Sequence, residues 1–320
     1  MREYGILEGA EKMSLEKERW YKEMLKIEEE VKPYIPYVRQ AFDAAMPVRK
    51  AVEFDPYRHI HDGIEFDPQT LLDQNKWMRG EIMKAYRNKI DRGEIIQINS
   101  FALDFSGSMD HERMRNLFKL LYLLVLGLEG RKTFDAFHFF STTFVEAVNF
   151  SSKFTSRNLL FRILSNISNI EGGFTDGTVR YSGYGGTNMS EGIIQCHKRA
   201  IEFGIRLEEE FPNTDFLYSL FVLTDGRPTM GIIDPDQINQ KIVQLRKQKN
   251  IAIKGIYVRP DAEDPSDFME KIFGEKQFVE TNSFESAISE FVNIMTATYK
   301  HQRKALKEEM KRKKYFNSKK

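Results

Sequence analysis

The chain has 320 residues, 41% hydrophobic and 30% charged, with a formal net charge of +1; this leaves room for one large domain with an appendage, or for two domains, and gives no overall pull toward nucleic acid or membrane. One cysteine, Cys196, excludes an intramolecular disulfide framework and fits a reducing compartment. The charge-dense opening, Met1 to Lys32, is unlike a signal peptide, so the expected setting is the cytoplasm.

From Glu8 to Val31 the apolar residues Met13, Trp20, Met24, Ile27 and Val31 recur every three, four or seven positions. That stripe predicts a helix, laid either on the main domain or against a partner helix. Pro33 and Pro36 end it, and a second helical pattern runs from about Tyr37 to Val52. His59 and His61 have the spacing of a metal-ligand pair on a strand, but no further ligands are evident nearby, so they read as surface histidines. Helical patterns follow Asp67-Pro68 to about Ile90, which makes residues 1–93 a helical N-terminal region.

From Glu94 short apolar runs alternate with amphipathic stretches. Predicted strands are Ile95–Phe105, Thr133–Phe140, Phe144–Phe150, Phe216–Thr224, Ile251–Val258 and Gln277–Glu280. Predicted helices are His111–Glu129, Ser156–Ser168, Ser190–Glu210, Pro235–Lys249, Pro265–Phe273 and Ser283–Tyr299. Strand alternating with helix predicts an α/β domain over 94–299, with a doubly wound, mostly parallel sheet. One antiparallel edge strand comes from the hairpin Thr133–Phe150, turning at Ser141-Thr142-Thr143. Leu117–Leu128 is the most apolar window, is interrupted by Lys119 and is too short to span a bilayer. Asp234-Pro235 reads as a cap and first helical residue, and Asn282 with Glu285 as a capping box. The glycine- and tyrosine-rich Glu171 to Gly186 reads as a surface loop. The last stretch, 300–320, holds ten Lys or Arg against Glu308 and Glu309. It reads as a helix end fraying into a disordered basic tail, or as a docking arm for an acidic partner or nucleic acid.

Three segments carry the chemistry. Asp104-Phe105-Ser106-Gly107-Ser108-Met109 lies where a predicted strand turns into a helix, and offers a carboxylate and two hydroxyls at alternate positions. Gly185-Gly186-Thr187-Asn188 presents a hydroxyl just before a helix, and Phe221 to Gly226 ends a buried strand in Thr224-Asp225-Gly226. Hard oxygen donors of this kind suit Mg²⁺ or Mn²⁺ and do not suit zinc or copper. All three segments fall at strand ends or helix starts on one edge of the predicted sheet.

Asp104-x-Ser106-x-Ser108, then Thr187, then Asp225 resembles the metal-ion-dependent adhesion site of von Willebrand factor A domains, over about residues 94–299. The resemblance implies that Ser106, Ser108 and Thr187 contact the ion directly, while Asp104 and Asp225 act largely through water. It also implies that an acidic side chain of another protein completes the shell. With its helical lead-in and Asp62-Gly63-Ile64-Glu65-Phe66-Asp67, the chain is further similar to the intracellular A-domain proteins that partner MoxR-type AAA+ ATPases, including cobalt- and magnesium-chelatase-like relatives. The function implied is a metal-dependent protein-binding adaptor working with such an ATPase on a third, client protein. The alternative is a nucleic-acid-associated factor acting through the basic tail.

An enzyme is not expected. Gly-x-Ser-x-Gly is missing, no Gly-Lys-Ser/Thr follows Gly185-Gly186-Thr187, and His111 reads as a first-turn surface residue rather than a base.

Overall fold

The computed structural model of the chain describes residues 21–45, 65–66, 86–87, 95–129, 131, 133–151, 174–175, 178–179, 183–211, 214–258, 267–281 and 283–317. Six strands form one sheet: β1 (Ile95–Asp104), β2 (Thr133–Phe140), β3 (Phe144–Ser151), β4 (Asp215–Thr224), β5 (Ala252–Val258) and β6 (Phe278–Thr281). Their order is β6-β5-β4-β1-β2-β3, parallel throughout except for β3, which pairs antiparallel with β2 at one edge. The predicted fold class is the one found. The central strands are apolar on both faces because both faces are covered: β1 is buried from Ile96 to Asp104 and β4 from Leu217 to Thr224.

The helices are α1 (residues 21–31), α2 (Ile35–Ala45), α3 (His111–Leu128), α4 (Met189–Glu210), α5 (Pro235–Lys247), α6 (Asp267–Phe273) and α7 (Phe284–Asn317). Two hydrophobic cores result, one on each side of the sheet. One joins α1, α2, α3 and α7 to the sheet through residues such as Phe101, Phe221 and Phe291. The other joins α4, α5 and α6 to it through Ile98, Val222 and Ile253.

The apolar stripe of the N-terminal helix is laid on the chain's own domain: Met24, Ile27 and Val31 are all buried in the first core. The polar flank of α1 is tied down as well. Glu30 takes two hydrogen bonds from the Arg115 guanidinium, at 2.5 and 2.7 Å, and pairs with Lys119 at 2.7 Å. The Arg115 contact, with Lys119 behind it, holds the Glu30 carboxyl down at about 2. α2 crosses α3 at Gly127, where a Cβ would stand 2.4 Å from the Phe42 ring and 2.7 Å from Val38.

α7 is the main departure from expectation. The predicted helix Ser283–Tyr299 is instead 34 residues long and runs on to Asn317, so the basic stretch from Lys300 is helical rather than frayed. What carries it past Tyr299 is a buried polar knot. The Gln97 amide donates to Ser219 Oγ at 2.6 Å and to Gln302 Oε1 at 3.3 Å, and Gln302 Nε2 donates to the Tyr218 carbonyl at 2.7 Å. At the other end, the capping box closes one residue later than expected. Ser283 and Ser286 exchange bonds, each amide donating to the other's hydroxyl at 3.2 and 3.1 Å, while Glu285 accepts from Tyr34 at 3.1 Å. Asp234 caps α5 as predicted, accepting from the Asp236 amide at 3.0 Å. The predicted helix Ser156–Ser168 and His59 and His61 lie outside the described residues, while Tyr86–Arg87, where the sequence predicts a helical pattern, is a two-residue strand paired antiparallel with Glu65–Phe66. Among the described residues no helix is long and apolar enough to cross a membrane.

Two outcomes test this packing. Helix propensity alone favours Gly127→Ala by about 1 kcal/mol, yet the Phe42 contact predicts destabilisation by about 1–3 kcal/mol; denaturant unfolding reads the sign. His138 in β2 is fully buried, and neither ring nitrogen has a hydrogen-bond partner among the described residues. Burial, helped by the Arg199 charge, pushes it down to about 4, so below about 6.5 the unfolded chain takes up a proton that the folded chain refuses. Wild type should therefore lose stability relative to His138→Leu as pH falls from about 6.5 to about 4, by about 1.4 kcal/mol per pH unit. Parallel unfolding curves for the two proteins across that window would contradict this.

Candidate metal site

From β1 the chain proceeds outward to β2 and β3, and from β4 outward to β5 and β6. The sheet therefore changes winding direction between β1 and β4, and a crevice opens beyond their carboxyl ends. Leu103 is registered against Leu223 in that pair, so Asp104 and Thr224 end the two strands side by side. Burial leaves Asp104 0% exposed and Asp225 2% exposed.

The turn after β1 is built by its own side chains. Asp104 Oδ1 accepts from the Ser106 amide at 2.9 Å, and its Oδ2 accepts from the Thr224 hydroxyl at 2.5 Å. Ser106 Oγ lies 3.0 Å from Ser108 Oγ, and Ser108 donates to Asp225 Oδ1 at 2.8 Å. A chain of hydrogen bonds thus runs from one strand end to the other through four of the five predicted site residues. Asp110 then caps α3, accepting from the Arg113 amide at 2.9 Å. Arg113 reaches back from the first turn of α3 to donate to the Ser108 carbonyl at 2.6 Å and to Asp225 Oδ2 at 3.1 Å.

Thr187 reaches the same rim by its loop. The Gly107 amide donates to the Gly185 carbonyl at 2.9 Å, the Tyr184 amide to the Phe105 carbonyl at 2.9 Å and the Gly183 amide to the Met109 carbonyl at 3.0 Å. The approach is so close that a Cβ on Gly183 would stand 1.6 Å from the Ser106 carbonyl oxygen. Gly185 takes φ +70°, a conformation open to glycine. On its other side the loop is pinned beyond Asp225, with the Thr187 amide donating to Thr229 Oγ1 at 2.8 Å and its carbonyl accepting from the Thr229 amide at 3.0 Å. Thr187 is 3% exposed. Among the described residues its bonds run through the backbone, so its hydroxyl stands outside the side-chain network that joins the other four.

Three residues of this site escaped the sequence reading: Thr224, Arg113 and Thr229. Arg113 did leave a signal, since a cation in the first turn of a helix opposes the helix dipole and calls for a carboxylate partner. Behind Arg113 and Thr224 lies a cavity of about 290 Å³, which α3 and the start of α7 wall with Asn116, Leu117, Phe284 and Ala287.

The electrostatics of the rim favour a cation. Burial, with the Asp225 charge adding to it, pushes the Asp104 carboxyl up to about 7. Burial likewise raises Asp225, although Ser108 and Arg113 pull it back. Both shifts mark carboxylates that are costly to ionise with Arg113 as the cation paired to Asp225, and a bound cation would favour their ionised forms. The donors are oxygens only, and among the described residues no group of three or more His, Cys, Asp and Glu side chains offers a softer site. An octahedral cation with oxygens at about 2.0–2.1 Å sets neighbouring oxygens about 2.9 Å apart. Ser106 Oγ and Ser108 Oγ, at 3.0 Å, already have that spacing. The residues present fit Mg²⁺ or Mn²⁺.

No family model matches the chain, and no curated protein does. Solved structures do overlap with it. BatB from Bacteroides thetaiotaomicron is 16% identical, with 64% of this chain and 99% of that one covered at a TM-score of 0.45. Proximal thread matrix protein 1 from the mussel byssus is 17% identical, with 66% of this chain and 48% of that one covered at 0.42. The manganese-loaded Plasmodium vivax TRAP protein is 16% identical, with 61% of this chain and 71% of that one covered at 0.42.

A substitution separates charge from shape at this rim. Asp104→Asn keeps an acceptor for the Ser106 amide, and the Thr224 hydroxyl, also 3.1 Å from the Gly226 carbonyl, can turn to donate there. In wild type the folded carboxyl titrates near 7 against 3.8 for its usual value. Without metal, stability is therefore fully present below about 3.8 and lost as pH rises through about 7, on the order of 4 kcal/mol. In EDTA, Asp104→Asn should melt above wild type at pH 8 and close to it at pH 4. A variant that melts below wild type at pH 8 would contradict the assignment.

Proposed function

We propose that the chain is a von Willebrand factor A-type, metal-dependent protein-binding adaptor. The observation that carries this reading is the hydrogen-bonded series Asp104, Ser106, Ser108, Asp225 at the winding switch of the sheet, faced by the Thr187 loop. Ser106, Ser108 and Thr187 would hold Mg²⁺ or Mn²⁺ directly, with Asp104 and Asp225 behind them. The ion when bound supplies an electrophilic position that a carboxylate of another protein can occupy.

The chain's own residues set how that position behaves. Thr224 and the Ser106 amide hold both Asp104 oxygens, and Arg113 and Ser108 hold both Asp225 oxygens. Carboxylates so occupied stay back from a cation and leave its positive charge largely unquenched, which favours an anionic ligand over a closed structural site. We read the site as one for binding rather than catalysis, because the carboxylates that could move a proton there, Asp104 and Asp225, already have their oxygens taken by hydrogen bonds. The partner we assign is a MoxR-type AAA+ ATPase acting on a client protein in the cytoplasm. That assignment is supported by the resemblance of the Asp62–Asp67 segment and by the order of helical lead-in and α/β domain.

Affinity capture with the purified chain, from cells that contain the ATPase, tests the proposal. Partner recovery should fall at least tenfold in EDTA, return with Mg²⁺, and be lost in Asp104→Ala while that variant keeps its circular dichroism. Equal recovery with and without EDTA would defeat it.

A further inference from the structure

The second pole of the molecule is the far end of α7. This helix starts beside the metal rim, where Phe284 and Ala287 line the cavity behind Thr224. Its 34 residues extend about 51 Å at 1.5 Å per residue. About six turns on, α7 passes the opposite end of the strands, where Ala305, Leu306 and Glu309 line a groove with Asp215 and Phe216 at the start of β4.

The exposed side of that end is basic and one-sided. Lys300, Arg303, Lys304 and Lys307 follow at intervals of three, one and three, which places them within an arc of about 100° on a helix of 3.6 residues per turn. Lys300, Lys304 and Lys307 are exposed and Arg303 is partly buried, with its Nε lacking a hydrogen-bond partner among the described residues. Gln302 and Leu306 face the domain instead. Like charges at these intervals repel on an isolated helix. Among the described residues no ion pair relieves them; Glu308, four residues past Lys304, makes none either.

We propose that this row is a docking surface for the phosphate backbone of B-form duplex DNA, bound without regard to base sequence and independently of the metal rim. Lysine is depleted at the cores of protein–protein interfaces, which are anchored by aromatic and apolar side chains. Within 300–309 the apolar residues are Ala305 and Leu306, and Leu306 packs against the core. The same lack of an exposed apolar wedge disfavours a membrane surface, and the lack of stacking aromatics there disfavours single strands. A straight row of cations on a helix matches a duplex backbone, and the major groove of B-form DNA admits a helix while that of A-form RNA does not.

The test is fluorescence anisotropy of a labelled 20-bp DNA duplex with the full chain, in EDTA, over a series of salt concentrations. Saturable binding should weaken with a log–log salt slope of roughly −4, as about four phosphate contacts require. The triple variant Lys300→Glu, Lys304→Glu, Lys307→Glu should bind at least tenfold more weakly and with a slope shallower by about 3; its thermal melt, unchanged, shows that the fold survives. Asp104→Asn should bind DNA as wild type does, so failure here and failure of the adaptor reading are separable. No saturable binding at low salt, an unchanged triple variant, or tighter binding to duplex RNA, to a polyglutamate of matched charge or to phosphatidylserine vesicles would each overturn the proposal.

Discussion

The parallel pairing of β1 with β4 puts two carboxyl-bearing strand ends in the dry interior of one crevice, and much of the remaining architecture answers to that. Register between Leu103 and Leu223 sets Asp104 beside Thr224, and the next residue is Asp225. Burial raises both of these acids, and the Asp225 charge raises Asp104 further. The chain meets the problem with every donor within reach: a backbone amide, three hydroxyls and one guanidinium contribute to the bonds about the pair. A site so provisioned with oxygen, and so short of positive charge, is ready for a small dication. It is poorly suited to standing as a merely structural turn.

The surrounding helices keep the crevice rigid from one side. α3 begins at its mouth, and α1 and α2 are clamped across α3 by the Arg115–Glu30 pair, by Lys119 and by the Phe42 ring over Gly127. Tyr34 and Tyr37 continue that contact onto the first turns of α7, through Glu285 and Ser289. The N-terminal helices thus bridge the helix that starts at the site and the helix that ends at the basic pole. That is the reason they share a core with the α/β domain instead of forming one of their own.

The sheet and the oxygen cluster were legible because their signals are local. Short, largely apolar runs rich in β-branched and aromatic residues, such as Ile95–Leu103 and Phe216–Leu223, read as buried strands, and the Asp-x-Ser-x-Ser turn announces its ligand chemistry in five residues. What stayed hidden depends on contacts between distant segments. Thr224 looked like one more strand residue until its hydroxyl met Asp104, 120 positions away. The length of α7 was misjudged because the residue that anchors its continuation is polar. Gln302 is buried by Gln97 and Ser219 rather than by an apolar stripe, so periodicity in the hydrophobic residues stops about where the helix does not. The cap at Ser283 was displaced by one residue because Glu285, the expected second half of the box, is taken by Tyr34.

The central claim is that five oxygen-bearing side chains from three segments surround a single ion, and anomalous diffraction from crystals grown with Mn²⁺ addresses it directly. The account predicts one strong anomalous peak within about 2.3 Å of Ser106 Oγ, Ser108 Oγ and Thr187 Oγ1, with Asp104 and Asp225 one water further out. Crystals fully exposed to Mn²⁺ with no peak at that rim, or with Thr187 turned away from it, would contradict the account.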